Sequence, residues 1–274
     1  MKKDYLIVKI KNQLYMVLRF TKDLRRLFID FVVASFKKFF RKGVVSGPTC
    51  HFLICKDLKY ISISKFAIIS FIRFHPDYHI KIHCDELTYA SVLNLWKCFP
   101  WLEIEVEIDI EKHLTPYVSK GILLLKLQGS SDSFLDVDTR VNSRIPQFDV
   151  PTALVAEHKF SEKEEYESIF RELGIHAKLG LQMLNVSFVS WGGKNLYLSE
   201  KDFLDWSDRY INLPWESLVN KEQIKHYQRF VEQIFFSLQF QTSNWRTLKD
   251  EDRVSDKGIV ESTYFGATGH RFGR

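Results

Sequence analysis

Phe134-Leu135-Asp136-Val137-Asp138-Thr139 runs from two apolar residues straight into a pair of carboxylates spaced i, i+2. At the fraying end of a strand, side chains at i and i+2 point to the same side, so Asp136 and Asp138 are expected to converge on one point. Converging carboxylates repel unless a cation sits between them. A hard divalent ion such as Mg2+ or Mn2+ takes oxygen ligands, commonly one or two carboxylates together with the phosphates of a substrate. Asp-x-Asp also arises by chance, because Asp favours turns and helix N-caps, but the surroundings support the ligand reading. Residues 120–127 are apolar at helical spacing, residues 128–132 make a polar turn, and a very short strand follows. Helix, turn, strand and acidic pair succeed one another without slack, as in an α/β unit.

A lysine opening a helix, roughly fifteen residues before an apolar strand that ends in Leu-Asp-x-Asp-Thr, resembles the GT-A glycosyltransferases. These are metal-dependent nucleotide-sugar transferases with a DxD motif. The matching residues are Lys120, Leu135, Asp136, Asp138 and Thr139, and the resemblance runs from about Thr49 to the C-terminus at the superfamily level. It implies Mn2+ or Mg2+ on Asp136 and Asp138, a nucleoside-diphosphate sugar as donor with UDP-sugar favoured, and a glycan or other hydroxyl acceptor. Polysaccharide or glycoconjugate synthesis is the implied setting. Lys120 would reach the phosphate or ribose. Asp85 would contact the base, although an N-cap role for the following helix fits that position equally. Trp191 and Gly192 would line the acceptor side, with a plain hairpin as the alternative, and Glu232-Gln233 would face the sugar. His270 would complete the metal shell, and Arg271 would cover the diphosphate from a tail loosened by Gly266, Gly269 and Gly273. The catalytic base stays open among Glu200, Asp202, Asp205 and Glu232.

The chain has 274 residues, 45% hydrophobic and 15% aromatic, enough for one sizeable α/β domain with an appendage. The expected domain spans residues 49–274, with a nucleotide-binding half over 49–140 and an acceptor half with its tail over 141–274. Residues 50–55 read as a buried strand, and a helix follows through Ser64, Phe66, Ile69 and Phe71. Residues 80–84 form a second strand ending at Asp85, and residues 87–97 a helix. Residues 102–108 alternate strictly, as a half-buried strand near an edge does. This βα alternation predicts a mostly parallel, Rossmann-like central sheet flanked by helices, with ligands beyond the carboxyl ends of its strands. Further on, residues 153–155 are a short strand, residues 162–173 a helix, and residues 221–238 one long helix. Cys50, Cys55, Cys84 and Cys98 form no dense framework, which points to reduced thiols in a cytoplasmic setting. A zinc site on the first three with a histidine is disfavoured, because they fall on expected strands and helix faces.

The first 42 residues hold twelve Lys or Arg against three Asp, a net charge of +9; the whole chain is +5, so residues 43–274 carry −4. Val17, Leu24, Phe28, Phe31 and Phe39 recur at spacings that suit one helix face, with Arg25, Arg26, Lys37 and Lys38 available to the polar side. Residues 1–48 are therefore expected to form a basic amphipathic segment and linker. Either it lies on an anionic inner-membrane surface, or it packs its aromatic face on the domain. Its apolar runs are far short of the roughly 20 residues of a membrane span, and it lacks the plan of a signal peptide. Nucleic acid is not an expected partner. Two rival readings follow from the same features. Haloacid-dehalogenase-type phosphatases also carry Asp-x-Asp after a strand, but on an early strand and with Thr or Val where this chain has Arg140. A non-enzymatic membrane-surface or polyanion-binding protein would rest on the basic segment alone.

Overall fold

The computed structural model describes residues 24–41, 47–175, 180–240, 245–248 and 260–262. A helix, α1, runs over residues 24–40. There follow β1 (Thr49–Ile54), α2 (Lys59–Phe74), β2 (His79–Cys84), α3 (Glu86–Lys97), β3 (Ile104–Ile108), α4 (Pro116–Lys126), β4 (Ser133–Leu135) and β5 (Thr139–Val141). The remainder comprises β6 (Thr152–Lys159), α5 (Glu164–Glu172), β7 (Gln182–Ser190), α6 (Glu200–Ile211), α7 (Trp215–Leu218), α8 (Ile224–Gln228), α9 (Val231–Phe240), β8 (Arg246–Leu248) and β9 (Val260–Ser262).

The main sheet has seven strands in the order β3-β2-β1-β4-β7-β6-β8. The first four are parallel, β7 joins β4 antiparallel, β6 joins β7 antiparallel, and β8 lies parallel to β6. The parallel half is the one the βα alternation predicts, and β3 sits at the edge, as its alternation requires. Consecutive side chains on β1 and β2 point to opposite faces. Cys50, Phe52 and Ile54 join Ile80, Ile82 and Cys84 in a core with α1, α2 and α3. On β4 the neighbours Phe134 and Leu135 divide between two cores. Leu135 belongs to that first one, whereas Phe134 packs with α4, α5, α6, α9 and β7. β4 is therefore buried on both sides, and its carboxyl end is held from two directions.

Two glycines permit close approaches beside this strand. A Cβ on Gly121 of α4 would lie 2.0 Å from the Phe203 ring of α6, so only glycine lets these helices meet there. Gly192 has φ +58° and a Cβ would lie 2.5 Å from Val150 N, which makes it a structural turn after β7. The expected helix over residues 221–238 is in fact two, α8 and α9, separated at Arg229-Phe230. Side chains from α6 take carbonyls at the break: Tyr210 Oη donates to Tyr227 O at 2.8 Å, and Trp206 Nε1 donates to Val231 O at 3.1 Å.

The described part of the basic segment is not detached from the domain. Asp30, 2% exposed, is paired with Arg73 of α2 and with Arg140 of β5, and Ala34 enters the core. Lys38, expected on the solvated side, is 3% exposed and donates to Tyr78 O at 3.1 Å. No described helix is long and apolar enough to cross a membrane.

Candidate active site

β4 delivers the acidic pair to the carboxyl edge of the sheet. After Leu135 the chain closes a turn: Thr139 N donates to Asp136 O at 3.1 Å, and Asp136 N donates to Ser187 O of β7 at 2.7 Å. The pair thus stands on a β4–β5 turn and not on the end of a continuing strand. Val137 between them is drawn into the core at 8% exposure, while Asp136 and Asp138 remain half-buried. Both carboxylates act on the ionisation of Lys120 and of Tyr60, so the turn brings them to one neighbourhood.

Lys120 is supplied by α4, whose start is fixed by Thr115, its hydroxyl accepting from Val118 N, and by Pro116 in the first turn. It is 8% exposed. Its ammonium donates to Asp136 Oδ2 at 2.8 Å, lies 3.8 Å from Glu232 Oε1, and sits 5.3 Å from the centroid of the Phe134 ring. Burial by itself would lower the Lys120 pKa. The charges of Asp136, Glu232 and Asp138 outweigh it, and the pKa is raised. Glu232, in the first turn of α9 and 3% exposed, is pushed up to about 7 by desolvation, against the opposing charge of Lys120. Glu232 Oε2 is buried without a hydrogen-bond partner, as are Oε1 of the next residue, Gln233, and Oγ1 of Thr139, the residue after Asp138.

Three further residues of this wall carry no sequence signal: Tyr60 of α2, Tyr117 of α4 and Arg229 of the α8–α9 break. Burial raises the pKa of both tyrosines. Tyr60 also feels Asp138 and Asp136, and Tyr117 is hydrogen-bonded by Arg229 and feels Glu232. They come from elements far apart in the chain, at no recognisable spacing.

Four parallel strands, an antiparallel β7 beside β4, and a DxD turn leaving the carboxyl end of β4 are now in place. This mixed α/β arrangement is the one that the GT-A resemblance implies. No family model and no curated protein matches the chain. Among solved structures it is similar to a galactosyltransferase, LgtC, in complex with donor and acceptor sugar analogs, at 15% identity and TM-score 0.46 over 78% of this chain and 86% of that one. It is also similar to the glycosyltransferase GlyE of Streptococcus pneumoniae TIGR4 (12%, 0.46, 75% of this chain, 46% of that) and to the PaToxG glycosyltransferase (11%, 0.41, 82% and 81%). At such identities and scores these likenesses bear neither on substrate nor on mechanism.

The other residues expected at a GT-A site fall differently. Asp85 caps α3: its Oδ1 accepts from Thr88 N at 3.0 Å and Thr88 Oγ1 at 2.8 Å, its Oδ2 accepts from Lys56 N at 2.8 Å, and it is 2% exposed. That carboxylate serves as the helix N-cap, the role that fits the position equally. Trp191 is fully buried and its Nε1 donates to Leu124 O at 2.8 Å, which leaves no face for an acceptor sugar. Gly192 serves the turn described above. Asp205 is exposed on α6, opposite the side of Phe203 and Ser207 that packs inward, and Glu200 and Asp202 are likewise exposed. Of the four candidate bases, Glu232 is the one brought to Lys120. His270 and Arg271 lie outside the described residues. Cys50, Cys55 and Cys84 are buried thiols whose pKa is raised by desolvation, to about 12 in the latter two, and among the described residues no metal-capable group includes them.

The donor set at the turn fits a hard cation. It consists of oxygens only, from two half-buried carboxylates, and Lys120 engages one oxygen of Asp136. A separate group, His83, Glu107 and Asp109 at the ends of β2 and β3, also brings ligand atoms within 4.8 Å of one another. There Lys81 lies 2.6 Å from Glu107, and His83 joins Asp109 at 2.6 Å and His51 at 2.8 Å, so the carboxylates already have partners.

Proposed function

We propose that the protein is a glycosyltransferase that moves a sugar from a nucleoside-diphosphate sugar, UDP-sugar favoured, to a hydroxyl of a glycan or other acceptor in polysaccharide or glycoconjugate synthesis. The observation that carries this reading is the buried Lys120 held between Asp136 of the acidic turn and Glu232 of α9. A cation sealed between carboxylates, with an unpartnered oxygen on Glu232 itself, fits a ligand that brings anionic oxygens and hydroxyl donors together.

Asp136 and Asp138 would hold Mn2+ or Mg2+, which when bound neutralises charge on the departing diphosphate and orients it. Lys120 supplies a fixed positive charge to the same phosphates without reorganisation, and Arg229, reached through Tyr117, is a second cation on that wall. Glu232, with its pKa near 7, is matched to taking the proton of the acceptor hydroxyl at neutral pH. Gln233 Oε1 accepts a sugar hydroxyl. His270 would add a metal ligand and Arg271 would neutralise diphosphate charge, as the resemblance implies for those positions. The +9 charge of residues 1–42 supports an anionic membrane surface as partner, with the protein peripheral on the cytoplasmic side.

Nucleotide release from UDP-, GDP- and CDP-sugars, with Mn2+ and a set of glycan acceptors, tests the reading. Turnover of one donor, abolished by Asp138→Asn, is expected. Hydrolysis of generic phosphoesters abolished by Asp136→Asn, with no donor turned over, would replace it with the phosphatase reading.

A further inference from the structure

The described helix α1 is oriented opposite to an ordinary surface helix. At 100° per residue, Asp30, Ala34, Leu27, Lys38 and Phe31 share the side that meets the domain, with Ser35 at its border, and the side turned outward carries the large apolar residues. Leu24, Phe28, Ile29, Val32, Phe36, Phe39 and Phe40 are 44%, 67%, 42%, 49%, 64%, 57% and 70% exposed. They make up seven of the eleven exposed large apolar residues among those described; the other four, Leu58, Leu87, Ile108 and Tyr197, lie on separate elements. Single exposed apolar residues are ordinary on a protein surface, but a continuous aromatic stripe marks an interaction site.

The inner side explains why this orientation is fixed. Asp30 is paired with Arg73 and Arg140, Lys38 Nζ donates to Tyr78 O at 3.1 Å, Lys37 Nζ donates to Arg73 O at 2.8 Å, and Trp101 Nε1 donates to Ser35 Oγ at 3.1 Å. Rolling the helix to bury its phenylalanines would strip Asp30 and Lys38 of these partners, which is costly for buried charges. Exposed Arg25 lies at the N-terminal end of the stripe, whereas Arg41 at the other end turns to Asp77 of the domain at 3.8 Å; the helix belongs to the segment that carries +9 while residues 43–274 carry −4. An apolar ridge on a segment of net charge +9 is complementary to one surface in particular, a bilayer with anionic headgroups over an apolar interior.

We propose that α1 is a membrane-docking ridge that inserts Phe28, Phe36, Phe39 and Phe40 into the headgroup layer of an anionic lipid surface, the inner face of the helix remaining clamped to the domain. Arg140 lies two residues past Asp138, so the Asp30–Arg140 pair ties this ridge directly to the acidic turn. The bilayer is thereby held at a set orientation to the candidate site. This docking stands on α1 alone and does not depend on the transferase reading.

Flotation of the full chain with vesicles of phosphatidylcholine, alone or mixed with phosphatidylglycerol, tests it, in wild type and in Phe28→Ser/Phe36→Ser/Phe40→Ser. Wild type should float with the mixed vesicles and keep much of that binding at about 0.5 M salt, where attraction by charge alone is screened. The triple variant should lose binding by about a hundredfold or more with unchanged thermal stability, because the replaced rings are exposed. Binding of the variant equal to wild type would overturn the proposal, as would failure of wild type to float with either vesicle. A fall in the variant's melting temperature would show the stripe packed under another part of the chain, and a wild-type dimer split by the variant would show a second copy there. Either result also overturns it.

Discussion

Replacing Lys120 by methionine keeps most of the side chain's volume and removes the charge that Asp136 and Glu232 share. The ammonium is 8% exposed, 2.8 Å from Asp136 Oδ2 and 3.8 Å from Glu232 Oε1, so its loss leaves two neighbouring carboxylates with no internal counter-charge. Breaking a buried pair in this way costs about 3–5 kcal/mol. The cost should depend on pH in a stated direction. The folded-state pKa of Glu232 is raised from 4.5 to about 7, so the folded state binds more protons than the unfolded one. Stability therefore falls as pH rises through that window and levels off above it. Without Lys120 the carboxyl pKa rises further, and the window extends upward. Lys120's own raised pKa concerns alkaline pH only, where its contribution is lost as pH rises through the folded value. Denaturant unfolding of wild type and Lys120→Met should accordingly show the full loss near about pH 8 and a distinctly smaller one near about pH 5.5, where Glu232 escapes by protonation. Equal loss at both pH values, or none at either, would refute the account of this pair.

Glu232→Gln removes the charged form that burial penalises; with the pKa moved from 4.5 to about 7, at about 1.4 kcal/mol per unit, thermal unfolding should show it up to about 3 kcal/mol more stable above pH 7 and nearly unchanged at pH 4.5. Its transfer rate should fall at least about a hundredfold if it serves as base. His75 is fully buried, its Nε2 accepting from Ile145 N at 2.8 Å, and burial lowers its pKa to about 4. Its contribution to stability is present above the unfolded value of 6.5 and is lost as pH falls toward 4, a step of order 3 kcal/mol that an acid titration of unfolding should resolve in wild type and miss in His75→Gln. Gly192→Ala should destabilise by about 2 kcal/mol or more in chemical denaturation, from the positive φ and the 2.5 Å approach to Val150 N.

How far each of these features could be read in the sequence follows from how local its cause is. The parallel half was legible because β1 is a largely apolar run and β2 and β3 alternate, and the acidic pair was legible because it follows β4 directly. The turn that carries the pair was not, since it depends on Ser187 of β7, some fifty residues on, receiving the Asp136 N–H. Trp191 beside two glycines suggests an exposed platform, but its indole N–H finds Leu124 O and the ring closes the core. Nothing at Arg229-Phe230 breaks a helix locally; Trp206 and Tyr210 decide the break by taking carbonyls there, and the break is what sets Glu232 in the first turn of α9. The outward face of α1 is likewise decided at long range, by Arg73 and Arg140 lying 43 and 110 positions from Asp30. Hydrophobic periodicity shows that a helix has two faces, and buried charges choose which one meets the domain.

We propose that Asp136, Asp138 and Lys120 together hold a nucleoside diphosphate through a divalent cation. Isothermal calorimetry of UDP, with GDP and CDP as comparisons, titrated into the full chain with and without Mn2+ tests it most directly. Saturable binding of one nucleotide only when the metal is present, lost in Asp138→Asn, is expected. Equal binding without metal, or binding of none of the three nucleotides, would contradict it.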